Sequence, residues 1–146
     1  MPDLSMTRIS FYILGDDNDD ARKLFACRLA EKAWREGNRI YIAVNDAAEA
    51  EALDQQLWRF RPESFVPHST EHSETPSAAV VIGCQDDCGD HHDLLINLRS
   101  QIPSHFSRFE RLVEIVSQSE NILTETREHF TFYKQRGYPI ETHKIG

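Results

Sequence analysis

A chain of 146 residues has room for one domain, residues 1–146, and its 40 % hydrophobic content is enough to bury an ordinary core. Its 24 acidic and 16 basic residues leave a net charge of -8, a field that repels phosphate and disfavours strong direct nucleic-acid binding unless positive charge is locally segregated. No apolar run could span a bilayer, and Met1-Pro2-Asp3-Leu4 lacks the layout of a signal peptide, so a cytoplasmic protein is expected.

Arg8 to Leu14 is a β-branched and aromatic run ended by Gly15, which predicts an opening buried strand. The acidic turn Gly15-Asp16-Asp17-Asn18-Asp19-Asp20 can cap the following helix and favour its positive end. Leu24, Cys27, Ala30 and Trp34 recur at helical spacing with Leu29 and Ala33 beside them, while Arg22, Arg28, Glu31 and Arg35 are expected to face water. Gly37 supplies the stop. Arg39 to Val44 is a second strand, so the first three elements predict a parallel, right-handed βαβ unit. Asp46 and Glu49 then have capping-box spacing, and the helix they open carries Ala50, Leu53 and Leu57 on one face.

That helix ends in Leu57-Trp58-Arg59-Phe60-Arg61-Pro62, because the residue before a proline avoids helical geometry and proline lacks the amide donor. The stretch runs on to His68 as an extended loop whose Trp58 and Phe65 either plug the core or anchor a partner. Ser69 to Ser77 is polar and predicts a surface loop; Ala78 to Gly83 predicts a third strand and Leu94 to Leu98 a fourth. Gln101 to Phe106 suggests a turn and short helix, and Arg111 to Val116 a fifth strand. Ser119 caps a last helix that runs to Gln135 or Arg136 before Gly137, with Tyr138 to Thr142 as a short edge strand. The alternation predicts a three-layer α/β fold, a mostly parallel sheet flanked by helices, Rossmann-like but without a phosphate-binding loop.

The first strand-to-helix turn is where such folds hold a nucleotide phosphate, yet it carries one glycine and four aspartates, and no glycine-rich phosphate motif occurs. Cys84, Cys88, His91 and His92 are the residue types zinc prefers, but Cys-x-x-x-Cys-x-x-His-His lacks the tight knuckle spacing and reads as a polar connection. No Gly-x-Ser-x-Gly elbow is present, and Cys27 reads as a packing thiol; the three cysteines are expected to be reduced. No catalytic residue, cofactor or metal is therefore expected, the alternative being a nucleotide- or metal-dependent enzyme of the same fold. The last helix offers binding chemistry instead: Leu123, Arg127, Phe130 and Lys134 share one face. Either the apolar pair faces the sheet, or it forms a hollow rimmed by cations that suits a hydrophobic group beside a carboxylate.

Phe11-Tyr12-Ile13-Leu14, Ala33-Trp34-Arg35-Glu36-Gly37-Asn38-Arg39, Leu57-Trp58 and Glu63-Ser64-Phe65-Val66-Pro67-His68 occur in succession. With Asp93 to Arg99, Arg127-Glu128-His129-Phe130 and Tyr133 to Gly137, this pattern resembles the chi subunit of bacterial DNA polymerase III holoenzyme over almost the whole chain. The resemblance implies a non-catalytic clamp-loader accessory with two partners: the psi subunit, and the acidic, phenylalanine-ending C-terminal tail of single-stranded DNA-binding protein. A repair helicase is a further candidate partner. It implies a psi contact near Trp58 and Phe65, and a tail pocket at Val116, Arg127 and Phe130, the last often tyrosine in the family. Leu123 stands where some relatives carry lysine, so the tail is expected to bind less tightly or to draw on Lys134. The lead Met1 to Met6 is longer than the family's and has no assigned role.

Overall fold

The computed structural model describes residues 6–60, 68–70, 79–84 and 92–145, with the backbone course alone at residues 58, 60 and 68–70. Among these residues seven strands form one sheet: β1 (Arg8–Leu14), β2 (Ile40–Ala43), β3 (His68–Thr70), β4 (Val80–Gly83), β5 (Leu94–Asn97), β6 (Arg111–Val116) and β7 (Ile140–Ile145). Their order across the sheet is β3-β4-β2-β5-β6-β1-β7, and every pairing is parallel. An all-parallel sheet must be covered on both faces, which is why β2, β4 and β5 are buried at every position.

Among the described residues, three α-helices provide the cover: α1 (Asp19–Arg35), α2 (Ala47–Phe60) and α3 (Glu120–Gln135). Strand alternation divides the core accordingly. Ile40, Ile42, Ile96, Val113 and Ile115 meet Ala26, Cys27, Ala30 and Ala33 of α1 and Ala50, Leu53 and Leu57 of α2 on one face. Ile9, Phe11, Tyr41, Leu95 and Leu112 meet Tyr133 of α3 and Phe106 on the other. The result is the three-layer arrangement the alternation predicts.

Local signals explain most boundaries. Asn18 Oδ1 accepts from the Ala21 amide at 2.8 Å, Asp46 Oδ1 from Glu49 at 2.9 Å and Ser119 Oγ from Ile122 at 3.4 Å. Glu49 reaches back to the amide of Asn45 at 2.8 Å, one residue earlier than a standard capping box. Gly37 and Gly137 take φ of +91° and +79°, the left-handed turn that lets α1 and α3 end and the chain re-enter the sheet.

Several expectations are corrected. Arg22 and Glu31 are buried rather than solvated. The small residues of α1 let it sit close to the sheet, and its flanks are drawn in: Arg22 Nε donates to the Ile115 carbonyl at 2.9 Å, and Glu31 accepts from Arg35 at 3.3 Å. Leu24 is half-buried rather than central to the apolar face. Residues 69–70 lie in β3, not in a loop, because a three-residue edge strand is too short to display an alternation. The short helix expected within Gln101 to Phe106 is a 3-10 turn at Phe106–Arg108, and the final strand is Ile140–Ile145 rather than 138–142. Residues 61–67, 71–78 and 85–91, and the expectations that fall on them, lie outside the described residues.

Leu53, 1 % exposed, pins α2 to the sheet, so Leu53→Ala is expected to cost about 2–5 kcal/mol in urea unfolding. Gly137→Ala is expected to cost about 1 kcal/mol through its positive φ alone.

Candidate functional site

The helix α3 is capped by Ser119 and laid across the sheet face built from Ile9, Phe11 and Val116. The Phe130 ring packs on Phe11 at a centroid distance of 5.7 Å, and Leu123 joins the same cluster. Both side chains are nevertheless only half-buried. The two readings of this face are therefore not exclusive: its apolar residues lean on the core and keep an outward surface. Arg127 and Lys134 are exposed beside them, with Lys134 Nζ 5.9 Å from the Phe130 ring centre. Arg127 makes no hydrogen bond or ion pair among the described residues, which leaves its guanidinium available to an external carboxylate. Val116, at the end of β6, is 2 % exposed and belongs to the apolar cluster under Leu123 and Phe130 rather than to the surface.

Beneath this face lies a buried polar cluster that the linear sequence does not announce. Glu114 Oε2 accepts hydrogen bonds from Asn97 Nδ2 at 3.0 Å and from the Tyr133 hydroxyl at 2.7 Å. The same oxygen faces His129 Nδ1 at 3.1 Å, and His129 Nε2 lies 2.8 Å from the Ser100 carbonyl oxygen. All four side chains are buried. Burial pushes the His129 pKa down, but the hydrogen bond and charge of Glu114, the Ser100 carbonyl and the charge of Glu125 together carry it above the ordinary histidine value. Burial and the adjacent Glu114 push the Tyr133 hydroxyl pKa up. The signal available in the sequence was slight: a glutamate inside the apolar run of β6, and His129 and Tyr133 one helical turn apart.

All three helices begin beyond the C-terminal ends of their preceding strands, where doubly wound folds bind ligands. A cleft of about 220 Å³ lies there, lined by residues including Asp19, Arg22, Asn45, Glu49, Ser100 and Glu125. The chain's own groups engage much of it. Asp19 pairs with Lys23 at 3.2 Å and Arg22 at 3.4 Å, and Asn45 Oδ1 accepts from the amide and the hydroxyl of Ser100, both at 2.9 Å. A phosphate would meet carboxylates and side-chain caps rather than free helix amides.

Trp58 falls on the last turn of α2, but its side chain and all of Phe65 lie outside the described residues, so the expected psi-facing pair is not brought into view. Cys88 and His91 are likewise outside them. Cys84 is half-buried, and the ring of His92 packs against Phe109 at 6.3 Å. Among the described residues no group of three or more metal-capable side chains occurs. Cys27 is fully buried, and burial raises its thiol pKa to about 12, in line with a packing role. No helix among the described residues is long and apolar enough to cross a membrane.

Residues 6–141 match the family model described as DNA polymerase III chi subunit, HolC. The chain is 41 % identical over 140 residues to DNA polymerase III subunit chi of Pseudomonas aeruginosa, covering 96 % of this chain and 98 % of the relative. It is 30 % identical over 138 residues to the Haemophilus influenzae subunit (93 % and 96 %), and 29 % identical over 144 residues to that of Escherichia coli K12 (94 % and 97 %). Among solved structures, T4 UvsW superposes with a TM-score of 0.66 at 8 % identity, over 97 % of this chain but only 42 % of UvsW, a likeness of fold alone.

The His129 shift gives a signed expectation for stability. A histidine whose folded pKa is raised stabilises fully below its unfolded pKa and loses that contribution as pH rises through the folded value. The stability difference between the wild type and His129→Gln, measured by urea unfolding across pH, is therefore expected to be largest on the acid side and to shrink as pH rises.

Proposed function

Since the chain belongs to the DNA polymerase III chi subunit family, we propose that it acts there without catalysis of its own. In this reading it joins the psi subunit to the C-terminal tail of single-stranded DNA-binding protein and so links the replisome to coated single strands. The observation that carries the reading is the α3 face: half-buried Leu123 and Phe130 flanked by exposed Arg127 and Lys134 on a molecule of net charge -8. An acidic protein that must hold an acidic peptide needs such a local concentration of cations. A terminal phenylalanine packed on Phe130 and Leu123 would contribute about 1.5–3 kcal/mol, and a charged hydrogen bond from Arg127 to its carboxylate about as much again. Val116 contributes from below, as the buried floor on which those apolar side chains rest.

Two further observations support the reading. Helices α2 and α3 cover opposite faces of the sheet, so a partner docked at Trp58 on the last turn of α2, and at Phe65 further along the chain, need not compete with a tail on α3. The position at which this fold would hold a nucleotide phosphate is crowded by the chain's own carboxylates and caps, which favours an accessory role over a nucleotide-dependent enzyme.

Calorimetric titration with a synthetic acidic peptide ending in phenylalanine tests the α3 site. Arg127→Ala is expected to weaken binding by at least about tenfold with an unchanged fold; unaltered affinity would exclude the site. Phe65→Ala is expected to weaken association with psi while leaving peptide binding intact, and loss of both together would point to misfolding or to one shared site.

A further inference from the structure

We propose that Asn97, Glu114, His129 and Tyr133 are positioning residues for the docking face, fixing the depth and rotation of α3 at which Arg127 and Phe130 are presented. This rests on the reading of that face given above. His129 directly precedes Phe130 in the chain and is two residues from Arg127, and its ring bonds in two directions: to Glu114 on β6 and to the Ser100 carbonyl after β5. One turn on, Tyr133 binds the same Glu114 oxygen, so the helix is held at two levels. Phe11 packs against both Phe130 and Tyr133, at 5.7 and 6.1 Å, so a rotation that lifts Phe130 off the sheet also disturbs the tyrosine that binds Glu114. The tether continues outward, because Ser100 is itself held by Asn45 at the start of α2.

The bonding pattern also sets a proton requirement. Both ring nitrogens of His129 face acceptors, the Glu114 carboxylate and the Ser100 carbonyl, so the complete set of bonds needs N–H on each. A neutral ring turns a lone pair toward one of them. The groups acting on this ring are Glu114 from β6 and Glu125 from α3, with Tyr133 beside Glu114; the loop after β5 contributes the Ser100 carbonyl, and Glu128 lines the same shallow hollow as His129. Raising the pH therefore removes a bond from the support of α3.

The test is the affinity of the full chain for a synthetic acidic peptide ending in phenylalanine, measured from about pH 6 to about pH 9, a range in which the peptide carboxylates do not titrate. The protonation of His129 is followed in the same samples by imidazole NMR. Wild-type affinity is expected to fall by up to about tenfold as His129 loses its proton, and His129→Gln to bind more weakly at the acid end with a flat profile. Tyr133→Phe, which removes a single hydroxyl, is expected to weaken binding about threefold, and keeps the test open if His129→Gln does not fold. Wild-type affinity that stays constant across the NMR-observed titration, or a folded His129→Gln that keeps both the affinity and the profile of the wild type, overturns the proposal. Loss of binding in Arg127→Ala would in that case leave the docking reading standing. Binding unchanged in Arg127→Ala instead overturns the docking reading, and the positioning role with it.

Discussion

A single oxygen, Glu114 Oε2, gathers Asn97, His129 and Tyr133 at 2.7–3.1 Å inside the layer between α3 and the sheet. A carboxylate removed from water without partners would be destabilising by several kcal/mol, and removing one member of a buried ionic cluster leaves the rest uncompensated. The three bonds are thus a condition for α3 to pack over β6 with a glutamate at that position. A purely apolar contact would be tolerant of small rotations, since hydrophobic burial has no direction; a set of directed bonds to one oxygen is not. The helix that carries the cationic face is accordingly held by directed bonds as well as by burial.

The all-parallel sheet imposes the second constraint. Because the central strands are buried on both faces, they offer no free surface to a partner, and recognition is left to the outward sides of helices, to loops and to the exposed edge strand β7. The split of the core then matters for function. α1 and α2 share one face and α3 takes the other, so surfaces built on α2 and α3 are separated by the thickness of the sheet.

Much of this architecture was legible in the sequence because its signals are local. The run Arg8 to Leu14, a cap from the turn Gly15 to Asp20, the caps at Asp46 and Ser119, and the stops at Gly37 and Gly137 each report on neighbouring residues, and each appears where those residues predict. Arg22 was misjudged because its burial depends on the Ile115 carbonyl, 93 positions away, a contact no helical wheel contains. β3 was missed because three residues carry too little pattern and its pairing with β4 is decided across the sheet. The cationic face of α3 could be read from spacing alone; that Leu123 and Phe130 also lean on Val116 and Phe11 could not. The Glu114 cluster was the least accessible of all, since its members come from β5, β6 and α3 and each taken singly is ordinary.

The strand ends retain the geometry of a ligand-binding fold, with three helix N-termini among the described residues lying at the C-terminal end of the strands, but the chemistry there is turned inward. Asn18, Asp46 and Ser119 satisfy the first amides of their own helices, Glu49 closes back on Asn45, and Asp19 engages Arg22 and Lys23. Positive helix ends that could attract an external anion are neutralised from within. The flank of α3 differs, for there Arg127 and Lys134 hold positive charge outward beside a half-exposed ring. A guanidinium next to an apolar surface favours a partner that presents a carboxylate and a hydrophobic group together, a combination that a free phosphate or a nucleic-acid backbone does not match as well. The local chemistry thus supports the proposed reading of a protein ligand, and the buried Glu114 cluster ties α3 to the sheet directly beneath that face.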